Sequence, residues 1–353
     1  MSVKKGEGRS TVYNAGLVTE EKWKNVSSKN KIILRDFLGY CKTAGRSPKT
    51  ISAYESQLKI FFVWNYENND NTYFPELKKR HLVSYISYLI EDLKSSPARV
   101  ASMKSALSTL SNYLERMWDE ELPNFRNIVK VIEIPVKTAV RTKTIITQED
   151  IDKTIEVLTE EEKFDMLCCF MLSIASGMRK AELIQMKCEY FNEDHLVLNG
   201  VFYKTGTIRT KGPGVKGKPL EKYVFVNEFK PYLELWMKQR EQLGITSEYL
   251  FVHKPPLSKE YEPVKISTLN SWTEKISKIM GKPYYFHSSR HKWNTDARSQ
   301  NKKNLPDDVI ATLQGWSTLE MVQRYDDSSK EEKLQNFFKE GGVFENINNG
   351  NKE

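Results

Sequence analysis

In the stretch SPKTISAYESQLKIFFVWN, residues 47–65, Ile51, Leu58 and Phe62 recur at helical spacing with polar side chains between them. Ser47 suits an N-cap and Pro48 the first helical position, so the pattern predicts a helix that starts there. SSPARVASMKSALSTLSNYLERM, residues 95–117, repeats the device with Ser96 and Pro97, turning Val100, Met103, Leu107, Leu110 and Leu114 inward. Helical periodicity runs through residues 29–118 and predicts a helical domain there. Residues 1–28 are polar and aperiodic and predict a flexible N-terminal arm. After residue 118 the period is lost: PNFRNIVKVIEIPVKTAVRTKTI carries Pro123, Pro135, β-branched residues and spaced basic residues. This predicts an extended, basic interdomain linker over 119–146.

A second periodic region opens at TQEDIDKTIEVL, where Thr147 and Asp150 have the spacing of a capping box. Helical pattern continues to about residue 187. HLVLNG (195–200), TIRTK (207–211) and KYVFVN (222–227) are strand-like, with a glycine-rich turn among them. Helical segments then return through about residue 340, with EYLFVH as a brief exception. The expected fold is mainly α with a small β-sheet, in domains at 29–118 and 147–340, ending in a disordered tail at 341–353. A length of 353 residues suits two domains, and 39% hydrophobic with 28% charged residues suits a globular chain. No run approaches the ~18 apolar residues of a membrane helix. Cys41, Cys168, Cys169 and Cys188 form neither a CxxC pair nor a disulfide framework, which predicts a cytoplasmic setting.

The charge narrows the partners. Lys and Arg number 54 against 46 Asp and Glu, a net +8, which favours a polyanion. Residues 204–222 concentrate that charge: Lys204, Arg209, Lys211, Lys216, Lys218 and Lys222 face one acid, Glu221, in a run broken by glycines. Short polar and basic residues also cluster near two predicted helix starts: Arg46, Lys49 and Thr50 at one, Arg99, Ser102 and Lys104 at the other. Helix N-termini with such residues suit phosphate contact, although each alone equally suits a solvated surface. The linker adds Arg141 and Lys143, and Lys204, Arg209 and Lys218 of the basic run complete the candidate phosphate contacts.

Three segments carry candidate chemistry. CCFMLSIASGMRKAELIQM, residues 168–186, reads as a buried helix until Gly177, then presents Arg179. An unpaired buried charge costs several kcal/mol, so this guanidinium meets an anion, either Glu182 or something bound. YYFHSSRHKWNTDARSQ, residues 284–300, puts His287, Arg290 and His291 on one face at a helix start, which suits an anion better than a cation. The two histidines have no acidic or thiol partner at metal-ligand spacing, which argues against zinc. In LQGWSTLEMVQRYDD, residues 313–327, Gly315 ends one helix, and Ser317 with Glu320 predicts a capping box for the next. Trp316 stands just before that cap and Tyr325 near the end of the short helix. Taken alone, that tyrosine reads as packing.

In their order and local context these segments resemble the tyrosine recombinases, or phage integrases. Ser176-Gly177-x-Arg179-x-x-Glu182 matches the first family box, His287-x-x-Arg290 followed by His291 the second, and Gly315-Trp316-Ser317 the third. Tyr325 stands nine residues beyond Trp316, the family spacing, and Lys211 in RTKGPG matches the hairpin lysine of the Cre and Xer-like branch. The resemblance covers residues of about 30–335. It implies an N-terminal helical core-binding (SAM-like) domain and a C-terminal α+β catalytic domain that clamp DNA. Tyr325 would be the nucleophile on a phosphodiester, leaving a 3′-phosphotyrosyl link and a free 5′-hydroxyl. Arg179 and Arg290 would hold the non-bridging oxygens, and the Trp316 indole would give a further N–H. Lys211 would be the general acid, with Lys204 or Lys218 as alternatives because the turn varies in length. His287 would take or share the phenolic proton, with Glu182 and His291 behind these groups.

The resemblance further implies a site-specific recombinase that integrates or excises a mobile element. Its partners would be double-stranded DNA with a specific core site of inverted repeats, and three further copies in a tetramer. EEKLQNFFKE, with Leu334, Phe337 and Phe338 on one face, would dock on a neighbour, packing on its own chain being the alternative. The resemblance leaves room for a directionality factor. It calls for no cofactor, no metal and no membrane, and for a nucleoid-associated place in the cytoplasm. The competing classes are a type IB topoisomerase-like relaxing enzyme and a non-catalytic DNA-binding protein.

Overall fold

The computed structural model describes residues 16–136, 144–210, 218–255, 258, 260–299 and 302–327. They fall into two compact units, before and after the 137–143 segment. Arg141, Lys143, Lys211, the helix expected around Leu334 and the tail expected at 341–353 lie outside the described residues.

The first unit is helical: α1 (Glu20–Asn25), α2 (Ser28–Thr43), α3 (Pro48–Asn68), α4 (Lys79–Ser87) and α5 (Pro97–Met117). The two predicted helix starts form as the sequence indicates. Ser47 Oγ accepts from the Thr50 backbone N–H at 3.2 Å, and Ser96 Oγ from that of Arg99 at 3.3 Å. Leu58 and Phe62 of α3 and all five inward positions of α5 are buried in one core with Ile33, Phe37, Phe61 and Tyr85.

Two expectations for this unit are corrected. Part of the segment expected as a flexible arm is folded: Thr19 caps α1, Val26 is buried, and Lys22 pairs with Glu67 at 2.7 Å. Part of the segment expected as an extended linker is a 3-10 turn, Ile128–Val131. Val129 and Ile132 enter the core, and the Asn127 amide donates to the Ser108 carbonyl and to Asn112 Oδ1. The β-branched residues that suggested extended chain act here as apolar pegs.

The second unit opens with α6 (Gln148–Glu160), where the predicted box forms: Thr147 N–H donates to Asp150 at 2.7 Å and Asp150 N–H to Thr147 Oγ1 at 3.2 Å. Next comes α7 (Phe164–Ser176), buried from Met166 onward and packed on α9 (Val226–Gln242) and α11 (Phe286–Arg298). Between α7 and α11 stand the short α8 (Lys180–Leu183) and α10 (Ile266–Met280); α12 (Asp307–Gln314) and α13 (Glu320–Arg324) follow.

The strands are more numerous than the one small sheet expected. β1 (Leu196–Val197), β2 (Phe202–Lys204) and β5 (Tyr223–Phe225) form an antiparallel sheet, β3 (Ile208–Thr210) pairs with β4 (Lys218–Leu220), and β6 (Val252–His253) pairs with β7 (Glu262–Pro263). Lys218–Leu220 therefore belongs to a hairpin arm, with Leu220 opposite Ile208, rather than to the turn. Among the described residues no helix is long and apolar enough to cross a membrane.

The helix before Tyr325 also differs from expectation. α13 begins at Glu320 with Leu319 in the cap position and no side-chain cap, so Ser317 and Glu320 do not form the predicted box. Leu319 is already helical in φ and ψ, and Trp316 N–H is tied back to the Ala311 carbonyl at 2.8 Å, which delays the helix start.

Candidate active site

The site is assembled around the C-terminus of α7, whose last carbonyls lack helical partners. Three side chains from the later helices satisfy them. Trp293 Nε1 donates to the Ala175 carbonyl at 3.2 Å, Gln314 Nε2 to Ser176 at 2.9 Å, and Arg290 Nη1 to Gly177 at 2.8 Å. Gly177 closes the helix at φ +61°, and a Cβ there would lie 3.0 Å from Gln314 Nε2 and 3.3 Å from Trp293. The left-handed backbone and the close approach both require glycine.

The chain then turns to Arg179, which precedes α8. Its Nη1 meets Glu182 Oε1 at 2.8 Å while its backbone N–H donates to Oε2 at 2.9 Å. Glu182 is 1% exposed. Burial alone would raise its carboxyl pKa, but Lys222, the Arg179 N–H and the Arg179 and Arg290 guanidiniums outweigh it and hold the group below the usual carboxylate range.

Arg290 is fully buried at the centre. Burial, aided by Arg179, lowers its pKa to about 10, with Glu182 and Tyr325 opposing. Its guanidinium carbon lies 4.9 Å from the Trp316 ring centroid and 5.3 Å from that of Tyr325. The Trp316 and Tyr325 rings stack at 5.1 Å and 10°. Arg290 Nε and Nη2 and Trp316 Nε1 are buried donors with no hydrogen-bond partner among the described residues. Orphan donors of this kind are uncommon in folded proteins, and these three lie beside the Tyr325 ring.

The histidines flank the phenol. The His287 and His291 rings meet Tyr325 edge-on at 5.2 and 4.9 Å, and His291 Nδ1 faces Asp327 Oδ1 at 3.1 Å. Burial, with His291, Arg290 and Arg179, lowers the His287 pKa to about 4, so its imidazole is neutral at physiological pH. An NMR titration of the ring protons is expected to give a midpoint near about 4; an ordinary ~6.5 would contradict this environment. Because the folded value is depressed, the unfolded chain takes up this proton first. The linked stability is present above ~6.5 and is lost as pH falls towards 4.

The six residues Arg179, Glu182, His287, Arg290, Trp316 and Tyr325 are thus brought together, with His291 beside them. Lys204 stands apart, paired with Glu221 at 2.7 Å. The Arg209 backbone is held on both sides by Gln185, with its side chain exposed. In the first unit, Arg46, Lys49 and Ser102 are exposed and Thr50, Arg99 and Lys104 partly so. Ser102 accepts from Gln57 of α3 at 2.9 Å.

One member of the cluster was absent from the sequence-based candidates. Lys222, between β4 and β5, is fully buried; its Nζ donates to the Gln314 carbonyl at 3.0 Å and faces Glu182 Oε2 at 3.6 Å. A basic run among glycines suggests solvated lysines, which hid it. The signal was the alternation in KYVFVN: Lys222, Val224 and Val226 share a phase, and all three are buried.

Known proteins resemble this chain in sequence and in fold. The pattern of the Phage integrase family matches residues 144–332, and that of the phage integrase N-terminal SAM-like domain matches residues 33–121. The SPbeta prophage-derived recombinase-like protein YomM of Bacillus subtilis (strain 168) is 30% identical over 301 residues, 81% of this chain and 85% of its own. Two solved structures share the fold at 17% identity and a TM-score of 0.61. One is XerH site-specific recombinase bound to palindromic difH substrate, covering 93% of this chain and 94% of its own. The other is a lambda integrase dimer bound to a core site, covering 85% and 96%. The chain belongs to the phage integrase family of tyrosine recombinases, and is by that membership a DNA strand-transferring enzyme.

Proposed function

We propose that this recombinase cuts and rejoins DNA at a specific core site through a covalent bond to Tyr325, for integration or excision of a mobile element. The observation that carries the reading is the set of unpartnered donors, Arg290 Nε and Nη2 and Trp316 Nε1, beside the phenol. A scissile phosphate offers acceptors for all three. The Tyr325 oxygen attacks phosphorus, the bond to the 5′ oxygen breaks, and the phenolic proton passes towards neutral His287. Arg179 and Arg290 neutralise the non-bridging oxygens of the pentacoordinate state, where preorganised donors each supply ~3–4 kcal/mol. Burial depresses His287 most, but a bound phosphate offsets the share due to the neighbouring cations, making it a better acceptor as the reaction starts. Lys211 gives its proton to the departing 5′ oxygen; Lys204, in its pair with Glu221, is less suited to this.

The phosphotyrosyl bond keeps the energy of the broken phosphodiester, so an incoming 5′-hydroxyl can reverse the step without a nucleotide cofactor. Two guanidiniums and a lysine supply the neutralising charge, so no added metal is needed. The basic helix starts of the first unit, together with Arg209, Lys218, Arg141 and Lys143, contribute backbone contacts. Four copies act on two inverted-repeat sites, joined through the segment around Leu334, Phe337 and Phe338.

The test is a nicked duplex carrying the candidate site from the DNA flanking the gene, incubated with the full-length protein in chelator. A 3′-linked covalent adduct restricted to that site is expected. Adducts on any sequence from monomers would instead identify a relaxing enzyme, and clear binding without adduct a DNA-binding protein.

A further inference from the structure

We infer that Lys222 is a positioning residue of this site: its ammonium holds Glu182, and through it Arg179, while fixing the Gln314 carbonyl directly before the Gly315–Trp316 turn. The inference rests on the strand-transfer reading above.

Lys222 is seated from both sides of its backbone. Its N–H donates to Thr205 Oγ1 at 2.9 Å and its carbonyl accepts from Thr205 N–H at 2.8 Å. The side chain therefore emerges at a fixed point behind the site. Glu182 faces it from α8, Arg179 from the turn before α8, and Arg290 from α11; α12 presents only the Gln314 carbonyl. Its sequence neighbour Glu221 is turned to Lys204.

Two cations, Arg179 and Lys222, thus share one buried carboxylate, with the Arg290 charge nearby. Glu182 spends one oxygen on the Arg179 guanidinium, leaving the other for the Arg179 N–H and the Lys222 ammonium. Without Lys222 that oxygen would keep only the Arg179 N–H, and the hold of the carboxylate on the guanidinium would loosen. The same ammonium reaches Gln314, whose amide caps α7 at Ser176. One side chain therefore ties together the elements that carry Arg179 and Trp316. Leu220 strengthens the tie, since a Cβ on Gly315 would come 2.5 Å from it. Burial, with the two arginines and against the pull of Glu182, lowers the Lys222 pKa to about 8. Being wholly buried behind Glu182, Lys222 touches no reacting atom and acts through its neighbours.

The experiment measures single-turnover cleavage by the full-length protein on the nicked duplex, with an oxygen or a bridging sulfur at the 5′ leaving position. Lys222→Met is expected to bind DNA within ~3-fold of wild type and to cleave ~100-fold more slowly, the size of effect a misplaced catalytic group produces. Sulfur leaves without a proton, so it should not restore the rate. In a Glu182→Gln background the same change should cost less than ~3-fold, because coupled partners are not additive.

A wild-type rate for Lys222→Met overturns the inference. So does rescue by sulfur, which would make Lys222 itself the proton donor. A full loss repeated in the Glu182→Gln background would reduce it to packing. If Lys222→Met does not fold, Lys222→Gln, which keeps a donor for Gln314 but not the charge, is held to the same outcomes; if neither folds, Lys222 is a core strut and the inference falls. Absence of adduct with wild type, by contrast, overturns the strand-transfer reading itself, and this inference with it.

Discussion

Tyr325→Phe is expected to bind the DNA site as wild type does and to form no covalent adduct, a loss of ~10⁴-fold or more in single-turnover cleavage. The ring of Tyr325 is 6% exposed and holds its place by stacking on Trp316 and by edge contacts with His287 and His291. Phenylalanine keeps every one of those contacts and removes only the oxygen. The change in stability should stay within ~1 kcal/mol, so the melting temperature acts as an internal control. Denaturing electrophoresis of end-labelled DNA reads the adduct directly. Adduct formation by Tyr325→Phe at a comparable rate would assign the nucleophile to another residue.

The second large effect is at Arg290. Arg290→Met is expected to lower single-turnover cleavage by ~10³-fold, since the donors aimed at the non-bridging oxygens are lost together. Affinity for the whole site should change little, because phosphate contacts spread along the duplex dominate binding. Stability should move the other way. The arginine is wholly buried, with a pKa lowered to about 10 chiefly by burial; Nη1 donates to the Gly177 carbonyl, and the Tyr325 phenol beside the guanidinium opposes the shift. A methionine fills similar space without that desolvation cost, so the melting temperature should be unchanged or higher. A folded protein that is as stable as wild type and nearly inactive is the expected result. A strongly destabilised Arg290→Met would show instead that the helix cap at Gly177 outweighs the buried charge.

Where a local rule decides structure, the sequence was readable. Ser47–Pro48, Ser96–Pro97 and Thr147–Asp150 announce helix starts because the partner of each cap lies three residues away. Arg179 and Glu182 were readable together for the same reason. The meeting of Arg179, Arg290 and Tyr325 was not deducible from any one segment, and came from the order of motifs shared with a family. The misreadings arose where longer-range contacts won. Ser317 and Glu320 had the spacing of a cap, but the bond from Trp316 to Ala311 moved the helix start. The segment around Val129 looked extended until a core far away in sequence received it. Lys222 sits in a run whose charge suggests solvent, although its alternation with Val224 and Val226 points inward.

The stack of Tyr325 on Trp316 has a consequence for inheritance among subunits. Phenol, indole and both guanidiniums come from one polypeptide and are gathered within one folding unit. Among the described residues, the groups placed around the phenol therefore all come from a single copy. Copies carrying Tyr325→Phe, mixed with copies carrying Arg290→Met, are expected to show no cleavage beyond that of either alone; restored cleavage would mean that the phenol reaches a neighbouring copy's arginines.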